Sequence, residues 1–136
     1  MTTNNQEAYE TIDWILDNAD MGFFIVTAPA HMQRKIAELY KIPKISVYDF
    51  LRKPEPYSCS DLGFWAESRK DAGAFFVLNM QEALRDESDM LSFNMSRDVL
   101  AKKKKIWLFF MTKDLERRLS TFAYDFYSFV RLKAHF

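Results

Sequence analysis

Met21-Gly22-Phe23-Phe24-Ile25-Val26-Thr27-Ala28-Pro29-Ala30-His31-Met32-Gln33-Arg34-Lys35-Ile36 is the stretch that decides the fold. Positions 22–26 are apolar one after another, so both faces of the segment are dry, as in a central strand of a parallel sheet. A tight turn, Thr27 to His31, leads into a helix over about 30–41 that places Met32, Ile36, Leu39 and Tyr40 on one side and stops at Pro43. In nucleotide-binding α/β domains this strand–turn–helix junction holds phosphates on backbone N–H groups at the helix start. Here the turn has no glycine and no Gly-Lys-Ser/Thr, and Pro29 removes one N–H donor. The scaffold for phosphate chemistry is expected; the residues that perform it are not there.

The same pattern repeats on either side. Residues 7–19 predict a short amphipathic helix with Tyr9, Ile12, Ile15 and Leu16 on one face and Glu7, Glu10, Asp13 and Asp17 opposite. Ile45 to Tyr48 alternates and predicts a strand near an edge, and 51–57, with Pro54 and Pro56, predicts a loop. Ser58 or Ser60 caps a helix carrying Leu62, Trp65 and Ala66, and Ala74-Phe75-Phe76-Val77-Leu78 is a second doubly apolar strand. After a polar connection or short helix at 81–87, a longer helix over about 88–103 is expected to turn Leu91, Met95, Val99 and Leu100 inward. It ends on Lys102 to Lys105, where cations suit the exposed carbonyls.

Ile106 to Met111 is the third doubly apolar run. Thr112 or Asp114 then caps a helix with Leu115, Leu119, Phe122, Ala123 and Phe126 at helical spacing, and 130–136 alternates as an edge strand. Strands separated by helices in this order imply an α/β fold: a three-layer sandwich with a mainly parallel five-stranded sheet and helices on both faces. The chain reads as one domain over 1–136, with the size for one continuous core.

Composition narrows the function classes. Apolar residues make up 49% and 13 are Phe, which excludes disorder. The 19 basic and 19 acidic residues cancel, against the net basic footprint of a general nucleic-acid binder. Cys59 is the only cysteine, so an internal disulfide and a multi-thiolate metal site are excluded. Residues 1–6 lack a signal-peptide pattern and no apolar run approaches the roughly 20 residues that span a bilayer, so a cytoplasmic setting is expected.

In an open parallel sheet, ligands collect beyond the carboxyl ends of the strands. Those ends offer Thr27 to His31, Tyr48 and Asp49, Asn79 and Met80, and Thr112 and Lys113. A nucleotide hydrolase needs a phosphate loop with a lysine, a hydroxyl on magnesium and an acid after the third strand; the chain has Pro29 in the loop and Asn79 at that strand. His31 is the one histidine there, and it reads as a capping or core-edge residue before it reads as catalytic. His135 falls on the solvent side of the last strand, and Cys59 between two serines reads as a small residue at a helix start. No catalytic residue, metal site or cofactor is implied.

The aromatic stripe Phe122, Tyr124, Phe126, Tyr127 and Phe129 is denser than one helix face needs to bury, which makes Phe126, Tyr127 and Phe129 candidates for contact with another domain or subunit. The alternative is a nucleotide-binding domain with an atypical loop and little or no hydrolysis. There His31 or Arg34 replaces the missing lysine and Asn79 stands at the acid's position.

The segments Leu91-Ser92-Phe93-Asn94-Met95-Ser96-Arg97-Asp98-Val99-Leu100, Ile106-Trp107-Leu108-Phe109-Phe110 and Asp125-Phe126-Tyr127-Ser128-Phe129-Val130 resemble a known pattern. It is the end of a degenerate P-loop-like α/β domain found at the N-terminus of bacterial STAND-like and TPR-containing conflict-system proteins. The resemblance spans roughly residues 20 to 136. It implies a non-catalytic protein-interaction or sensor-adaptor domain in a bacterial signalling or defence system, partnered by another protein, by other domains of a longer chain or by a second copy. A sheet order of 5-1-4-3-2 would fit P-loop ancestry, and 2-1-3-4-5 a receiver-like or flavodoxin-like module.

Overall fold

The computed structural model describes residues 3–53, 55 and 57–136; Pro54 and Pro56, which mark the sequence-predicted loop, lie outside the described residues. The five strands are β1 (Gly22–Thr27), β2 (Ile45–Asp49), β3 (Ala74–Leu78), β4 (Ile106–Met111) and β5 (Val130–His135). They form one sheet in the order β2-β3-β4-β1-β5, which from the other edge reads 5-1-4-3-2. Every pairing is parallel. The three doubly apolar segments are the three inner strands, and the two alternating ones are the edges. Burial on both faces selects for continuous apolar runs only where helices cover both sides.

The helices are α1 (Thr3–Asn18), α2 (Ala30–Glu38), α3 (Leu62–Glu67), α4 (Glu87–Asn94), α5 (Arg97–Ala101), α6 (Lys113–Phe122) and α7 (Tyr124–Ser128). On one face, Ile12, Ile15 and Ile36 of α1 and α2 pack on Phe24, Val26, Phe76, Leu108 and Phe110. On the other, Leu62, Trp65, Phe93, Leu100, Leu115, Leu119 and Phe126 of α3 to α7 pack on Phe23, Ile25, Phe75, Trp107 and Phe109. The chain runs outward once, from β1 to β2, and steps back for every later strand. A constant crossover hand therefore sets α2 opposite α3 to α7. The expected three-layer α/β architecture is the one observed.

Gly22 opens β1 at φ +133°, and a Cβ there would lie 2.9 Å from the Arg131 side chain. Only glycine holds that backbone without strain. Arg131 in turn donates to the Met21 carbonyl at 2.8 Å, fixing the start of β1 against β5.

Three helices differ from expectation, and the one expected through Phe126 is divided into α6 and α7. The helix expected over 88–103 is broken at Met95-Ser96, giving α4 and α5. Leu91, Met95 and Val99, expected inside, are 51%, 76% and 53% exposed, and the inward residues are Met90, Phe93 and Leu100. Asn94 explains the break: its side-chain oxygen accepts the Phe126 N–H at 2.7 Å, which ties the end of α4 to α7. α2 is also shorter than expected, so Leu39 is exposed, while Tyr40 leaves the helix and donates to Asp13 at 3.0 Å. Among the described residues no helix is long and apolar enough to cross a membrane.

Candidate functional site

The carboxyl ends of β2 and β3, beside α2, are covered by the protein's own polar side chains. Gln33, Asp49 and Asn79 stand there, all 2% exposed or less. Asn79 follows β3 in the left-handed conformation, φ +59°, which asparagine tolerates better than most residues. That twist aims its backbone N–H at Gln33 Oε1, 2.7 Å away. Its side-chain amide donates to Asp49 Oδ1 at 2.8 Å, and its Oδ1 accepts from Gln81 Nε2 at 2.9 Å. Gln33 Nε2 closes the circuit on the Ala28 carbonyl at 3.1 Å and on Gln81 Oε1 at 3.3 Å.

Asp49 ends β2, and its buried carboxylate is met on each side. Oδ1 also accepts the Leu51 N–H at 2.9 Å, and Oδ2 faces Arg34 Nη1 at 3.4 Å. A buried carboxylate survives only with such partners. The network thus links the ends of β1, β2 and β3 to the first turn of α2 and the residues after β3. The amides of Gln33, Asn79 and Gln81 all find acceptors within it, whereas the buried Nε of Arg34 has no hydrogen-bond partner among the described residues.

The turn before α2 is equally committed. Ala28 N donates to the Met111 carbonyl at 3.0 Å and Met32 N to the Pro29 carbonyl at 2.9 Å, while Pro29 itself has no N–H. No side chain caps α2. His31 is exposed and takes no part in the network. Of the three residues of the nucleotide alternative, Arg34 and Asn79 are therefore brought together on Asp49, and His31 is not. Gln33 and Gln81 are the residues that sequence reasoning missed. Gln33 had one signal: it precedes the inward-facing Ile36 and Ala37 by three and four positions, and so is a polar residue on the buried side of α2.

The C-terminal aromatics divide. Phe126 is fully buried, 4.6 Å from the Phe93 ring and 5.4 Å from Phe23, and it has no surface to offer a partner. This corrects its candidacy: Phe126 lies on the same buried side as Leu115, Leu119 and Ala123, although the helix is interrupted at Ala123 between α6 and α7. Tyr127 donates to Glu116 Oε2 at 2.5 Å and accepts from Lys133 Nζ at 2.6 Å, a bond that raises the Lys133 pKa. Phe129 is 42% exposed and leans on Phe23.

The remaining candidates are structural. Cys59 is buried, and desolvation, with Asp89 adding to it, pushes its thiol well above the ordinary value. His135 Nδ1 lies 2.6 Å from Thr27 Oγ1 and joins β5 to β1. Among the described residues no group of three or more His, Cys, Asp or Glu side chains could hold a metal ion. No protein-family model matches the sequence, and no curated protein does.

Proposed function

We propose that this chain is a non-catalytic protein-interaction or sensor-adaptor domain, built on a P-loop-like sheet whose ligand position has been filled from within. The observation that carries the reading is the closed circuit Gln33–Asn79–Gln81, with Asp49 bonded to Asn79, at the carboxyl ends of the strands. The sheet order 5-1-4-3-2 supports the P-loop-like part, and the resemblance to STAND-like modules supports a role in bacterial signalling or defence. A nucleotide phosphate held by Arg34 would draw the guanidinium away from Asp49 Oδ2 and leave that buried carboxylate with Asn79 and Leu51 alone.

Thermal unfolding with millimolar ATP or GTP and magnesium tests the reading. A nucleotide present at 100 times its Kd would stabilise the fold by roughly 2.7 kcal/mol. The expected result is no shift in Tm; a reproducible, magnesium-dependent rise overturns the proposal in favour of an atypical nucleotide site.

A further inference from the structure

The two charge types cancel in number but are separated in space. Residues 1–20 contain no lysine or arginine, and Glu7, Glu10, Asp13, Asp17 and Asp20 are all exposed along and after α1. On the same helix Trp14 is 51% exposed, one turn from both Glu10 and Asp17. Spacing of three and four residues puts Glu7, Glu10, Trp14 and Asp17 on one edge. An aromatic ring amid carboxylates is an unusual solvent surface; the other two tryptophans, Trp65 and Trp107, are fully buried.

The opposite face of the sheet carries the complement. Between α3 and α5, at the amino ends of β3 and β4, lies a recess of about 490 Å³. Ala66, Phe75 and Val99 supply its apolar lining, and Lys70, Lys102 and Lys103 its rim. Its single acid, Glu67, is already paired with Lys103, which lowers the Glu67 pKa. Lys102 makes no ion pair among the described residues, and Lys70, though 3.8 Å from Glu67, is 77% exposed. The volume falls within the range of pockets that hold an aromatic side chain, and such a side chain buries about 150–250 Å².

We infer that the Trp14 edge of α1 docks in the lysine-rimmed recess of a second copy of the chain. The indole enters between Val99 and Ala66, while Glu10 and Asp17 meet Lys70 and Lys102. α1 and the recess lie on opposite faces of one sheet, so a copy cannot satisfy itself. The contact is heterologous: each bound copy still presents one free face, and the assembly grows head to tail or closes into a ring. A net charge of zero removes the long-range repulsion that would oppose it. This inference rests on the contact reading above and names the partner; it uses a surface remote from the filled crevice.

Sedimentation velocity over 10-fold steps of protein concentration, at low and at moderate salt, tests it. The expected result is species larger than a dimer at low salt, reduced by screening. Trp14→Ala should weaken association about tenfold or more, as loss of a central tryptophan does. Lys70→Glu/Lys102→Glu and Glu10→Lys/Asp17→Lys should each be monomeric alone and associate again when mixed, with unchanged melting curves. A chain that stays monomeric at every concentration overturns the inference, and so does association that Trp14→Ala leaves unweakened or that survives either charge reversal alone. Neither outcome moves the nucleotide thermal shift, so failure here is distinguishable from failure of the proposed function.

Discussion

Asn79 donates its side-chain amide to the buried carboxylate of Asp49 across 2.8 Å, and by doing so ties together the carboxyl ends of β3 and β2. In a nucleotide hydrolase the residue after this strand would be an acid reaching outward to a metal. Here an amide reaches sideways to an acid on the neighbouring strand.

Asn79→Asp should therefore destabilise the fold by about 2–4 kcal/mol at neutral pH. It sets two carboxylates in contact in a dry site and removes the donor that Asp49 uses. Lowering the pH through the carboxylate range lets one of the pair take a proton, so the deficit relative to wild type should shrink there. Urea unfolding of both proteins at pH 7 and pH 4.5 measures this. A deficit that is small, or constant with pH, would contradict the contact.

Phe126→Ala should cost about 3–5 kcal/mol, the usual range for emptying a phenylalanine site in a core. Tyr124→Ala, at a residue 66% exposed, should stay within about 0.5 kcal/mol. Chemical denaturation of the two variants checks the contrast, and equal losses would mean that α7 is turned otherwise.

Gly22→Ala should destabilise by about 1 kcal/mol or more, because φ +133° is hostile to any Cβ and Arg131 already fills the space. Shortening the neighbour with Arg131→Ala relieves the crowding but not the backbone strain, so it should recover only part of the loss. Full recovery in the double variant would assign the whole effect to crowding.

Cys59 should resist thiol reagents in the native protein at pH 8 and react at once after unfolding. Burial holds the thiol neutral well above its ordinary pKa. The sign for stability follows. The raised native value favours folding fully below the unfolded thiol's pKa, about 8.5, and that contribution declines as the pH rises above it. Labelling followed by mass measurement decides the point, and fast native labelling would contradict the burial.

Much of the framework could be read from residue order because the physics there is local. Three continuous apolar runs had to be inner strands, and β3 and β4 begin and end where their sequences suggest. The helix after β3 could not be read so well. Residues 90, 93 and 100 and residues 91, 95 and 99 form two apolar stripes on neighbouring faces. Both satisfy helical spacing, and packing chose the stripe with Phe93, 4.6 Å from Phe126. At the site, Arg34 and Asn79 were legible from their places beside the strand ends. Their closure on Asp49 was not, because the contact joins residues 15 and 30 positions apart and depends on the left-handed turn at Asn79. The aromatic run at 122–129 misled because the density of rings does not say which face inward: Phe126 shares the buried side with Leu115, Leu119 and Ala123, while Tyr124 and Phe129 stay exposed.

The most direct measurement of the central claim is the NMR signal of the side-chain amides of Gln33, Asn79 and Gln81 during titration with magnesium nucleotide. If the crevice is filled by its own hydrogen bonds, these resonances keep their positions and stay protected from solvent exchange up to millimolar ATP. Saturable shifts in all three, with loss of protection at Asn79, would show that the network opens for a ligand and would contradict the account.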